Sequence, residues 1–83
     1  MKEQFIHIDE HGNKFYYSDK SIAVRLRHRE DGPAIEWADG SKVWFINGNY
    51  HREDGPAIED ADGYKSWYID GKKLTEEQFN DRN

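Results

Sequence analysis

Cysteine is absent from this 83-residue chain. Neither a disulfide nor a thiolate metal centre can therefore hold it together. Proline occurs only twice and methionine once. No apolar run approaches the roughly 20 residues needed to span a bilayer, and the segment from Met1 to His7 lacks the apolar stretch of a secretory signal. The expectation is a soluble protein, and the missing thiols fit a reducing cytoplasm. Basic residues are the minority, 12 against 17 acidic, for a net charge of −5. That balance disfavours nonspecific binding to phosphate backbones and opposes docking on anionic membranes. It permits steering toward a basic protein surface. No glycine-rich phosphate loop and no G-x-S-x-G element occurs. The sequence therefore reads as a binding module and not an enzyme, with no cofactor implied.

What the chain does have is aromatic side chains. Hydrophobic residues make up only 35%, matched by 35% charged residues, a balance that leans toward disorder. Three Trp, five Tyr and four Phe oppose that lean, because each ring has a large area to bury. A single domain spanning 1–83 with a modest core is expected.

The organisation is set by an internal repeat. The string His-Arg-Glu-Asp-Gly-Pro-Ala-Ile-Glu occurs at His28–Glu36 and again at His51–Glu59, an offset of 23 residues. The match continues: Ala38-Asp39-Gly40 becomes Ala61-Asp62-Gly63, Trp44 becomes Trp67, Phe45 becomes Tyr68, and Asn47-Gly48 becomes Asp70-Gly71. A worn copy precedes them, with His11-Gly12-Asn13-Lys14-Phe15-Tyr16-Tyr17 resembling Asp39 to Phe45. The division is a degenerate copy at 5–27 and full copies at 28–50 and 51–73. A degenerate terminal copy is what a cap on a repeat array looks like.

Each copy reads as a β-hairpin, and the fold class as mainly β: tandem hairpins forming an antiparallel sheet. Asp39-Gly40 and Asp62-Gly63 suit two-residue turns with positive φ, and Asn47-Gly48 and Asp70-Gly71 mark a second turn per copy. A two-residue turn sets Trp37 opposite Lys42, Ile35 opposite Trp44, and Asp60 opposite Lys65. It thus predicts a core face of Ile35, Trp37, Trp44 and Ile46, continued by Ile58, Trp67 and Ile69. The other face then carries Ala34, Glu36, Val43 and Phe45, followed by Ala57, Glu59, Ser66 and Tyr68. After the last copy, Leu74-Thr75-Glu76-Glu77-Gln78-Phe79 predicts a short helix over 75–81 that protects the sheet edge. Thr75 and Gln78 form its capping box.

The turn spacing and interleaved aromatics resemble the MORN repeats and their antitoxin-like relatives. The string HREDGPAIE with the closing KKLTEEQF is similar to repeats in small bacteriophage proteins. The resemblance spans roughly Glu10 to Phe79. It departs from MORN where His-Arg-Glu-Asp-Gly replaces a short GKG-like element. It implies an interaction scaffold, carries over no catalytic residues, and suggests an inhibitor of a host defence protein acting in the host cytoplasm.

Several residue sets invite chemistry. His28 and His51, each with nearby carboxylates, could share a metal ion, but a motif recurring in every copy more simply stacks the copies. Arg29 and Arg52 would then pair with acids of the neighbouring copy. Asp60-Ala61-Asp62-Gly63 lacks the spaced ligands of a calcium loop and reads as a turn. The expected partner-binding surface is Phe45, Tyr68 and Tyr64 with Glu36 and Glu59, aromatics rimmed by carboxylates. Two alternatives remain: a nucleic-acid binder using the basic stretch Lys20–Arg29, and a homo-oligomer assembling through open strand edges.

Overall fold

The structure is a computed structural model and describes residues 4–18 and 27–82. It is a mainly β, antiparallel architecture closed by one short helix. The strands are β1 (Gln4–Ile8), β2 (Lys14–Ser18), β3 (Ile35–Glu36), β4 (Lys42–Val43), β5 (Phe45–Ile46), β6 (Asn49–Tyr50), β7 (Ile58–Glu59), β8 (Lys65–Ile69) and β9 (Lys72–Leu74), followed by α1 (Glu76–Asn80). One ladder runs β1-β2-β3-β4-β7-β8-β9, and β5 pairs with β6 beside it.

The chain is an up-and-down meander with interrupted descending strands. β4 and β5 are separated only by Trp44 and ascend together. β6 and β7 are both antiparallel to that ascending strand, so they descend as one interrupted strand. Residues 51–57 lie between them. The backbone bonds mark the interruption: the His51 N–H donates to the Trp44 carbonyl at 3.1 Å, and the Trp44 N–H donates to the Ala57 carbonyl at 2.7 Å. Both ends of the excursion thus meet one residue. The preceding copy repeats this with Tyr16, whose carbonyl accepts from His28 at 3.0 Å and whose N–H donates to Ala34 at 2.7 Å. The string Arg-Glu-Asp-Gly-Pro is therefore a loop pushed out of a strand, once per copy.

The two kinds of turn differ, and the difference corrects the expected register. At Asn47-Gly48 and Asp70-Gly71 both residues have positive φ (50° and 83°, 51° and 80°), the two-residue hairpin turn. At the other end Trp37 bonds to Ser41 and Gly40 to Trp37, which leaves three residues, Ala38 to Gly40, in the loop. Only Gly40 has positive φ, +97°, so this is a three-residue loop with a glycine bulge. Asp39 stays outside that region and its carboxylate accepts the Ser41 N–H at 2.8 Å. One extra residue shifts the pairing by one and exchanges faces. Ile35 faces Val43, not Trp44; Trp37 faces Ser41, not Lys42; Asp60 faces Tyr64, not Lys65.

The rows that result are regular. Phe15, Ile35, Val43, Ile58 and Ser66 are cross-strand neighbours on one face. Lys14, Glu36, Lys42, Glu59 and Lys65 form the next row, alternating in sign, on the other. The core is correspondingly thin. Its buried apolar members are Ala34, Ile35, Val43, Ala57 and Phe79. Trp44 and Trp67, expected to be core, are only half-buried. The helix forms as expected, with the Thr75 hydroxyl accepting the Gln78 N–H and the Gln78 side chain accepting the Thr75 N–H. It packs on β8 and β9.

Candidate functional site

The repeated string is an internal latch. Its residues are taken up by one another and by the copy before. The Arg29 guanidinium lies 4.0 Å over the Tyr16 ring, and that of Arg52 lies 3.7 Å over Trp44. Arg52 Nε donates to Asp54 at 3.0 Å, and its Nη1 donates to the Pro56 carbonyl at 3.1 Å and to Glu59 at 3.1 Å. Arg29 does the same with Asp31 (3.0 Å), Pro33 (3.2 Å) and Glu36 (3.4 Å). The arginines therefore pair with acids of their own copy, and it is the ring that comes from the neighbour. Asp31 and Asp54 accept from arginine here; the backbone N–H groups of the loop tips are taken by Asp9, Asp39 and Asp62.

The glycine follows from the arginine. A Cβ at Gly32 or Gly55 would stand 3.0 Å from the guanidinium carbon, so the arginine would have to give way by a few tenths of an ångström. Ala34 and Ala57 are completely buried. The histidines hold the next turn: His28 Nδ1 accepts the Asn47 N–H at 2.9 Å and His51 Nδ1 accepts that of Asp70 at 3.0 Å. Each Nε2 meets a glutamate, Glu30 at 3.3 Å and Glu53 at 3.2 Å. A ring nitrogen that accepts a backbone N–H has no lone pair left for a cation. Among the described residues no cluster has the composition to hold a metal ion.

Copies are also tied at their loop tips. The Asn13 side-chain oxygen accepts the Ala38 N–H at 2.7 Å, and the Ser41 hydroxyl accepts the Ala61 N–H at 2.9 Å. The next residue in that series is Tyr64, where the array ends. Its hydroxyl instead accepts from Ser66 at 2.8 Å. That hydrogen bond, followed by the nearby charge of Lys73, draws the Tyr64 phenol below its ordinary value.

The opposite face holds the expected aromatic candidates. Phe45 stacks on Tyr50 with ring centroids 4.7 Å apart, and Tyr50 packs against Tyr68 at 4.8 Å. Period-two alternation along β8 puts Ser66 and Tyr68, with Tyr64 before them, on this face. Phe45 and Tyr68 are thus joined through Tyr50, a residue that sequence reading passed over. Its counterparts in the other copies, Arg27 and Lys73, are not aromatic, so the repeat gave no signal. Glu36 and Glu59 lie on the other face, bound to Arg29 and Arg52. Of the stretch Lys20–Arg29, Lys20 to Leu26 fall outside the described residues. Arg27 lies 5.8 Å over the Phe15 ring, and Arg29 belongs to the first latch.

The class that this geometry defines is a tandem β-hairpin repeat with a latched excursion in the descending strand of each full copy. No known protein family, curated protein or solved structure matches the chain. Among the described residues no helix is long and apolar enough to cross a membrane.

Proposed function

We propose that the chain is a small acidic protein-binding module, not an enzyme, and that its contact surface is the aromatic face formed by Phe45, Tyr50, Tyr68 and Tyr64. One observation carries this reading. The repeated polar residues are consumed in holding the copies together, whereas the rings of the opposite face are left in contact with solvent. Tyr50 and Tyr64 are both exposed, Tyr64 by 52%. Tyrosines of this kind give rigid, amphipathic contact area at low entropic cost. If the string HREDGPAIE belongs with the repeats of small bacteriophage proteins that it resembles, the partner is a host defence protein. The net charge of −5 favours a basic one.

The ring geometry counts against base stacking as the binding mode. Tyr50 packs against both Phe45 and Tyr68, so its flat sides are taken by its neighbours. Single-strand binding needs open ring faces in a basic groove.

The test is capture of the partner by the tagged chain from host lysate, followed by titration of the purified pair. The native chain is compared with F45A/Y68A and with Y64A. Loss of the central rings is expected to weaken binding about tenfold or more, with the β-sheet circular dichroism retained. Equal affinity for native and folded double variant would overturn the assignment.

A further inference from the structure

We infer that the chain forms a two-fold dimer by pairing β1 with β1 of a second copy. This does not depend on the aromatic face. The two edges of the sheet are built differently. At the far edge β9 carries Lys72 and Lys73, and the helix packs beside it; charge and cover are the usual protections of an edge strand. β1 reads Gln-Phe-Ile-His-Ile, with no Lys, Arg, Asp, Glu or Pro. Its apolar side chains are exposed on both faces, Phe5 by 45%, Ile6 by 54% and Ile8 by 58%. An uncharged edge meets its own copy without repulsion.

The backbone register fixes which groups are available. Tyr16 turns both its N–H and its carbonyl toward the third strand, to Ala34 and from His28. Its partner in β1 is Ile6, so that pair is not hydrogen-bonded, and Ile6 points its own N–H and carbonyl to the open edge. Asp9 N–H donates to Asn13 at 3.0 Å, which gives the same alternation: residues 5, 7 and 9 face β2, and Gln4, Ile6 and Ile8 face outward. A two-fold axis at Ile6 then sets Ile6 against Ile6 and Gln4 against Ile8 of the second copy. Each facing pair exchanges two hydrogen bonds, for about six in all. The same register puts Phe5 opposite His7 of the second copy. His7 already lies 6.2 Å from Phe15, so the aromatic row runs on across the axis. Because among the described residues the opposite edge, β9, is charged and covered by the helix, pairing closes at two copies and does not extend to a fibre.

The experiment is sedimentation equilibrium on the full chain from low micromolar to near-millimolar concentration. The native protein is expected to approach twice its 9.8 kDa chain mass. I6K, which places two like charges at the axis, is expected to stay at the monomer mass with unchanged circular dichroism. A Cys-free protein allows a second, independent readout. I6C is expected to give a disulfide-linked dimer under mild oxidation, since facing Cα atoms at such a pair lie about 5.5 Å apart. K73C on the protected edge is expected to remain monomeric at the same concentration. A native chain that stays monomeric throughout, or I6C that links no faster than K73C, would overturn the dimer. That outcome would leave the edge to an extended segment of a different protein.

Discussion

The two full copies begin with the same nine residues and build the same latch, yet they close on different rings. In the first, Arg29 covers Tyr16 at 4.0 Å and reaches Glu36 at 3.4 Å. In the second, Arg52 covers Trp44 at 3.7 Å and reaches Glu59 at 3.1 Å. The wiring inside the excursion is carried by the string itself. The strength of its attachment is set by the copy before it. Tryptophan is the better cation acceptor, so the junction between the two full copies should be the firmer one. At the third position no excursion exists. Twenty-three residues beyond Arg52 stands Thr75, which starts the helix, and Arg82 returns to donate to the Glu53 carbonyl. The helix thus occupies the place of a missing latch and is tied to the last real one.

The largest expected effect is at the firmer junction. R52M removes the ring contact, the closure onto Pro56 and the pairing with Glu59 together, and should lower unfolding free energy by about 3 kcal/mol in a urea titration. R29M should cost less, about 2 kcal/mol, because its ring is a tyrosine. Equal losses would mean that the ring does not grade the junction. R52K keeps the charge but lacks the planar fork that contacts ring, carbonyl and carboxylates at once, so it should recover only part of the loss.

Glycine at the excursion comes next. G55A should cost about 1–2 kcal/mol, the scale of an overpacked site, and the loss should shrink in the R52M background, where the clashing guanidinium is gone. Below it lies the tip contact. S41A leaves the Ala61 N–H without its acceptor and should cost about 1 kcal/mol.

The smallest effect is the pH response of the loop tips. Asp9 and Asp39 are held below the ordinary carboxylate value, Asp9 chiefly by the Asn13 side chain and Asp39 chiefly by the Ser41 N–H. A carboxylate whose folded pKa is depressed adds stability that is full above its unfolded value, about 4. That stability is lost as pH falls through the folded value. Thermal melts below about pH 4 should therefore show a native chain losing more stability than D39N. Parallel losses would remove the turn carboxylate from the account.

Much of the fold was legible because the repeat is literal. Nine identical residues, paired glycine turns and a capping box pointed to the antiparallel sheet of hairpins and to the helix capped by Thr75. The register was not legible. Asp39-Gly40 suits a two-residue turn and a three-residue loop equally well, and choosing between them reverses the faces of every strand before it. That one residue decides whether Trp44 shares a face with Ile35 and whether Glu36 and Glu59 share one with Phe45. Arg52 over Trp44 was not legible either: these two stand eight residues apart, but the equivalent pair, Tyr16 and Arg29, stands thirteen apart, and Trp67 is followed at eight residues by Thr75, so no fixed spacing recurs with the repeat. Such a contact needs the excursion to fold back, and nothing in local propensity announces that.

The most direct test of the latch is a double-mutant cycle on Arg52 and Trp44, using R52M, W44L and the double variant in urea titrations. A stacked guanidinium predicts a coupling of about 1 kcal/mol or more, with the double variant more stable than the sum of the single losses. Losses that add to within about 0.3 kcal/mol would show two independent residues, and the string would then need another reason to recur.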